Sequence, residues 1–238
     1  MNKQEYYREQ YHKIYPKWRV STLIYHDLIS DSVSKNSYLL DVGCGHSNLL
    51  SDIYSRTLHT YGIDPDISAI NRNKDIKHIK KSYVEKMPFK DNFFDVVVCA
   101  WVLEHLSDPN KAFKEIYRVL KPGGKVIFIT PNALNYNVWL IRLIPERFHD
   151  FLTKKLYNRQ ENDTFSKKYL INTPPKIDDL LLSIGFKKIN LILNGDPTYI
   201  SFERITFYFA ILLEKIFEIR QLNKYKVHII GEYIKIVK

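Results

Sequence analysis

Sulfur, glycine and long apolar runs are scarce in this chain. Of its 238 residues, two are cysteine, two methionine and eight glycine. Cys44 and Cys99 form neither a disulfide framework nor a zinc-ligand spacing, so a reducing cytoplasmic setting is expected. No cluster of histidine, cysteine and acidic residues suggests a metal. The first eighteen residues, MNKQEYYREQYHKIYPKW, have no apolar core, which argues against a secretory leader. The most apolar stretch, Ile205 to Leu213, lies between Arg204 and Glu214. A bilayer-crossing helix needs about 20 such residues, so none is expected here.

What is present is enough for a folded domain. Hydrophobic residues make up 45% of the chain, which excludes global disorder. The net charge of +10 suits nucleic acid, an anionic membrane surface or an acidic substrate, and equally a lysine-rich solvated surface. Residues 5 to 30 carry apolar side chains at helical spacing and predict one or two helices. Strands and helices then alternate. Strands are expected at Ser37 to Val42, Leu58 to Ile63, Ile76 to Ile79, Phe94 to Cys99 and Lys125 to Thr130. Helices are expected at His46 to Tyr54, Pro65 to Asn71 and Pro109 to Leu120. Phe94 to Cys99, FDVVVC, is apolar apart from Asp95, as in a parallel strand buried on both faces. Short connections between such elements predict an α/β fold with a doubly wound, mostly parallel seven-stranded sheet.

The alternation stops after Pro131. Residues 132–173 carry seven Lys/Arg against four Asp/Glu and read as an insertion at the carboxyl edge of the sheet, where open α/β folds bind ligands. A helix from Pro174 to Ile184, a strand from Phe186 to Leu193, an apolar helix within 200–219 and a strand from Val227 to Val237 complete a single domain spanning 1–238. Within it, 1–35 is an N-terminal helical segment, 36–131 a cofactor-binding half, 132–173 a lid contacting the acceptor, and 174–238 the completion of the sheet. The helix at 200–219 is apolar on more than one face. It reads as buried against the core or a homodimer partner, or as lying on a membrane.

The chemistry begins at LLDVGCGHSNLL, residues 39–50. A strand, a glycine loop and a helix can cradle a nucleotide, yet a dinucleotide fingerprint needs a third glycine where Asn48 stands. A phosphate-binding loop would need Gly-Lys-Ser/Thr, and none follows. Asp41, ahead of Gly43, would repel a pyrophosphate but suits a cationic ligand. Asp64 ends the second strand 21 residues after Gly43, where a carboxylate can accept two ribose hydroxyls.

In this order the segments LLDVGCGHSNLL, YGIDPD (61–66), EKMPF (85–89), FDVVVCAWVLEHL (94–106) and VLKPGG (119–124) resemble the class I S-adenosylmethionine-dependent methyltransferases, over residues 36–132. The resemblance implies a Rossmann-like fold and S-adenosyl-L-methionine as cofactor, with S-adenosyl-L-homocysteine as product. It assigns cofactor contacts to Asp41, Gly43, Cys44, Gly45, Asp64, Pro65, Val84, Glu85, Met87, Ala100 and Trp101. Asp41 would orient the methionine end, Asp64 would hold the ribose, and the stretch from Glu85 would wall the adenine. The sequence departs from the family at Ser47, in place of a third glycine, and at Tyr83, in place of an acid facing the adenine amino group.

Methyl transfer to an alcohol needs a base near the methyl group. His105, just past the fourth strand, is the candidate base, or else a structural polar group. Asn132, Tyr136 and His149 are further candidates for acceptor contact. The absence of Asp/Asn-Pro-Pro-Tyr/Phe after the fourth strand argues against amino methylation of a base, while other RNA methylation remains an alternative. A looser resemblance of residues 131–174 to bacterial methyltransferases of surface polysaccharide and glycolipid synthesis implies a sugar, glycolipid or other small-molecule hydroxyl as acceptor. A third reading is a catalytically inactive regulatory module that keeps the fold and binds the cofactor.

Overall fold

A computed structural model describes residues 3–46, 49–136 and 167–236. Two helices open the chain, α1 (Lys3–Ile14) and α2 (Ser21–Ser32). Then come β1 (Tyr38–Val42), α3 (Ser51–Arg56), β2 (His59–Asp64), α4 (Ile67–Arg72), β3 (His78–Lys81), β4 (Phe94–Ala100), α5 (Pro109–Val119) and β5 (Leu120–Pro131). The last part comprises α6 (Pro174–Ile184), β6 (Phe186–Asn194), α7 (Arg204–Ile216) and β7 (His228–Lys235). The seven strands form one sheet in the order β3-β2-β1-β4-β5-β7-β6. β7 runs antiparallel to both β5 and β6, and the other pairings are parallel. The fold is therefore the Rossmann-like α/β arrangement expected.

Local chemistry accounts for most element boundaries. Asp108 caps α5 by accepting from the Lys111 amide at 3.0 Å, and Pro109 occupies the first turn, where a missing N–H costs nothing. Ala112, Phe113, Ile116 and Val119 then fall on one face and are buried. Asp66 caps α4 in the same way through the Ser68 amide. The helix expected from His46 begins only at Ser51, because Gly45 and His46 are spent in turns. β5 starts at Leu120, five residues before its expected start. Leu120 already pairs with Phe94, and the ladder resumes at Lys125 opposite Val96 after the Pro-Gly-Gly excursion.

The central parallel strands β1 and β4 are buried on both faces. One cluster holds Leu40, Val42, Val97, Phe113, Phe128 and Ile177, and the other holds Tyr25, Leu39, Ile53, Val98, Ile127 and Ile230. Each fully buried aliphatic side chain of this kind contributes about 2 kcal/mol. A third, smaller cluster of Tyr7, Tyr11, Phe207 and Ile211 joins α1 to α7, away from the sheet. Among the described residues no helix is long and apolar enough to cross a membrane.

Candidate active site

The loop after β1 turns back onto the end of β2. The amides of Gly43 and Cys44 both donate to the Ile63 carbonyl, at 2.8 and 3.2 Å. Gly43 takes φ +71°, and a Cβ there would lie 2.4 Å from Val102 Cγ2. Only glycine lets the segment after β4 approach so closely. Asp64 is buried at the tip of β2, with Oδ2 accepting from the Gly45 amide at 2.9 Å and Oδ1 from the Asp66 amide at 2.8 Å. Those two bonds hold its carboxylate in one orientation. A carboxylate has about four lone-pair positions, so further hydroxyl donors can still be accepted.

A cavity of about 310 Å³ opens at this edge. Its walls include Gly43, Asp64 and Pro65 on one side, Tyr83, Val84 and Glu85 on a second, and Trp101, Val102, His105 and Lys168 on a third. Trp101 has φ +59°, the left-handed region that an L side chain occupies at a cost of about 1–3 kcal/mol. Its amide donates to the Ile129 carbonyl at 3.0 Å, and its ring meets His228 edge-on at 5.1 Å. This bend turns the chain off the sheet and carries Val102 and the short turn Leu103–His105 across the glycine loop.

Several expected residues reach this space and others do not. Gly43, Asp64, Pro65, Val84, Glu85, Trp101 and His105 line the cavity. Asp41, Cys44, Gly45, Met87 and Ala100 are not among its lining residues. Asp41 is buried, its Oδ2 accepting from Tyr54 Oη at 2.6 Å, and burial pushes its carboxyl up to about 7. Cys44 and Cys99 are both buried and free, with their thiols also pushed up by burial. Met87 belongs to the apolar core.

The expected acceptor contacts need correction. Asn132 is fully buried. Its Nδ2 donates to the carbonyls of Lys224 and Lys226, and its Oδ1 accepts from the Leu134 amide. Tyr136 is buried too and donates to Glu214 Oε1 at 2.8 Å. Both side chains are committed to holding the segment after β5 against the chain that precedes β7, so neither faces the cavity. His149 and Ser47 lie outside the described residues.

Lys168 joins the wall without having been anticipated from sequence, and Glu104, Thr130 and Asn172 support it from behind. Glu104 is buried beside His105, and burial raises its carboxyl. Glu104 Oε2 accepts from Thr130 Oγ1 at 3.1 Å, and Thr130 Oγ1 accepts from Asn172 Nδ2 at 2.6 Å. The Glu104 carbonyl accepts the amide of Lys168, bringing that residue to the cavity, where its ammonium donates to Ser107 Oγ at 2.8 Å. Glu104 was visible as the neighbour of His105; nothing local marked Lys168. Tyr83, at the family's acidic position, lines the cavity with 64% of its surface exposed, offering a ring where an acid was expected.

Comparison with known proteins agrees with this geometry. Residues 40–128 match a family model described as a methyltransferase domain. A sterol 4-C-methyltransferase of Caenorhabditis elegans is 32% identical over 139 residues, which is 52% of this chain and 42% of that protein. A ubiquinone biosynthesis O-methyltransferase of Pseudomonas entomophila is 30% identical over 148 residues, 54% of this chain and 62% of its own length. The chain thus spans about half the length of the curated relatives it matches. A solved S-adenosylmethionine-dependent methyltransferase of Methanosarcina mazei shares the fold at a TM-score of 0.59 and 21% identity, covering 89% of this chain and 98% of that one. The family match is confined to residues 40–128, and the fold around them is the one that the solved S-adenosylmethionine-dependent methyltransferase shares. S-adenosylmethionine, named for that solved structure, has a ribose diol and a cationic methionine end that would suit this acid-bearing cavity.

Proposed function

We propose that the protein transfers a methyl group from S-adenosylmethionine to a hydroxyl of a small acceptor with a lipid part, such as a glycolipid, in a reducing cytoplasmic compartment. The observation that carries this reading is that Asp64 and His105 line one cavity at the carboxyl edge of the sheet. The bound cofactor would supply an electrophilic methyl group on a sulfonium. This chain's residues would do the rest. Asp64, already oriented by two backbone amides, accepts the ribose hydroxyls. Pro65, Val84 and the Tyr83 ring flank the adenine, so stacking replaces the missing acid. Gly43 and Val102 form the floor. His105 takes the acceptor's proton at a ring nitrogen, while Glu104 and Thr130 behind it fix the turn that carries it. Alignment and exclusion of water account for most of the rate in such an in-line displacement.

The lipid part of the acceptor rests on the relatives, two of which are named for a sterol and for ubiquinone biosynthesis. The hydroxyl rests on His105 and on the O-methyltransferase relative. Calorimetric titration with S-adenosylhomocysteine tests the cofactor half. The wild-type chain binds it, and Asp64→Ala binds it about a thousandfold more weakly, as two hydrogen bonds to a charged group are lost at about 2 kcal/mol each. Transfer of a radioactive methyl group into the solvent-extractable fraction of a cell extract, lost in His105→Gln while homocysteine-product binding persists, tests the acceptor half. Label confined to the RNA fraction would overturn the lipid reading.

A further inference from the structure

We infer that the outer face of α7 is a docking surface for an anionic lipid bilayer. The inner face of the helix is accounted for: Phe207, Ala210, Ile211 and Glu214 are buried, with Phe207 and Ile211 packed among the tyrosines of α1. The outer face carries Ile205, Tyr208, Phe209, Leu212 and Ile216, at relative exposures of 85, 54, 48, 54 and 38%. Their spacing of three, four, seven and eleven residues from Ile205 places all five on one stripe at 100° per residue. Ile219, 52% exposed just past the helix end, extends it. Large apolar side chains in a continuous row are not the scattered exposure normal for a surface.

The charges choose the occupant. Arg204 and Lys215 are eleven residues apart and so lie on one flank of the stripe, and both are exposed. The Arg204 guanidinium sits 6.0 Å from the Tyr208 ring centroid. Arg220 follows on the exposed chain, and the whole protein carries +10. An apolar row with a cationic border is the pattern of an interfacial helix on anionic lipid. The topology gives the face a purpose. α7 lies between the end of β6 and the start of β7, where Asn194 pairs with His228, which also pairs with Pro131 at the end of β5. This is the edge that holds the cavity, and Trp101 of the cavity wall touches His228. A bilayer against α7 brings a membrane-embedded acceptor to the edge where methyl transfer takes place. This deepens the proposed function by naming where the acceptor resides.

The test is flotation of the full chain with vesicles of 30% phosphatidylglycerol in phosphatidylcholine, against pure phosphatidylcholine, at low and high salt. The wild type is expected to co-float with the anionic vesicles at least tenfold better than with the neutral ones, and to lose most of that preference in high salt. Ile205→Asn with Leu212→Asn should reduce binding at least tenfold. Arg204→Gln with Lys215→Gln should reduce mainly the preference for anionic vesicles. Leu182→Asn, at a site 49% exposed on α6, should change nothing. Absence of flotation at low salt, or a stripe variant that floats like the wild type, overturns the proposal. So does a wild-type dimer in sedimentation equilibrium that the stripe variant converts to monomer without any vesicle binding, since the face would then join two copies. Homocysteine-product binding is measured on every variant and stays unchanged, so failure of docking is separable from failure of the methyltransferase reading.

Discussion

The two halves of the sheet are built by different means. From β1 to β4, each functional position depends on near neighbours or on one adjacent strand. Gly43 and Cys44 bond to Ile63, Asp64 bonds to Gly45 and Asp66, and Asp66 caps its own helix. The half made of β5, β7 and β6 is tied by partners almost a chain length apart. Arg8 pairs with Asp196 at 3.0 Å, Trp18 Nε1 donates to the Gly195 carbonyl, and Ser21 Oγ meets His228 Nδ1 at 2.9 Å. Lys125 and Asn190 converge on the buried Glu232 from neighbouring strands. The difference teaches that the glycine-loop edge of the sheet is locally encoded, whereas the β5-β7-β6 half is held by residues 8–21, far from it in sequence.

Substitutions can break that contrast, and the largest effect is expected at Asp64. Asp64→Ala should remove nearly all homocysteine-product affinity in calorimetry while the β5-β7-β6 half keeps its fold, read as an unchanged near-ultraviolet spectrum. A glycine in each half gives the next test. A Cβ at Gly195 would fall 1.7 Å from the buried Glu214 Oε2, so Gly195→Ala should cost about 3 kcal/mol in chemical denaturation. It should leave the affinity of the folded protein for the homocysteine product untouched. Gly43→Ala, facing Val102 at positive φ, should instead weaken that affinity. If both glycines affect both readouts equally, the halves are not separable.

Tyr136→Phe sharpens the comparison further. Removing the hydroxyl leaves Glu214, whose carboxyl burial has raised to about 7, without the donor that stabilises its charge. A loss of about 2 kcal/mol in stability at pH 8, with cofactor affinity unchanged, marks Tyr136 as a support rather than an acceptor contact.

The smallest effect is a pH dependence. Burial raises the Asp41 carboxyl to about 7 in the folded chain, against an ordinary value of 3.8. Between those values the folded state binds more protons than the unfolded one, so this group's stabilisation is complete below about pH 4 and declines as pH rises through 7. Asp41→Asn should flatten the loss of stability between pH 6 and 8 by about 1 kcal/mol, followed by denaturation at each pH. His228, lowered to about 4 by burial, acts in the opposite direction as pH falls through 6.5, and because both proteins carry it, its contribution cancels when Asp41→Asn is compared with the wild type at each pH.

The sequence by itself determined the strand-helix alternation of the sheet and the position of the glycine loop. Runs such as FDVVVC, between turn signals, read as buried strands, Asp108-Pro109 opens a helix through a short-range hydrogen bond, and the interval from Gly43 to Asp64 measures one strand-helix-strand unit. Only the tertiary structure decided the rest. Asn132 and Tyr136 stand near the end of β5 in sequence, yet their side chains turn inward to satisfy main-chain carbonyls and a buried carboxylate some 80 to 90 residues away. Lys168 reaches the cavity because its amide finds the Glu104 carbonyl. The apolar helix at 204–216 was legible as apolar, but which of its faces α1 covers depends on packing that no local spacing records. Periodicity reports what a segment must bury, and long-range partners decide against what.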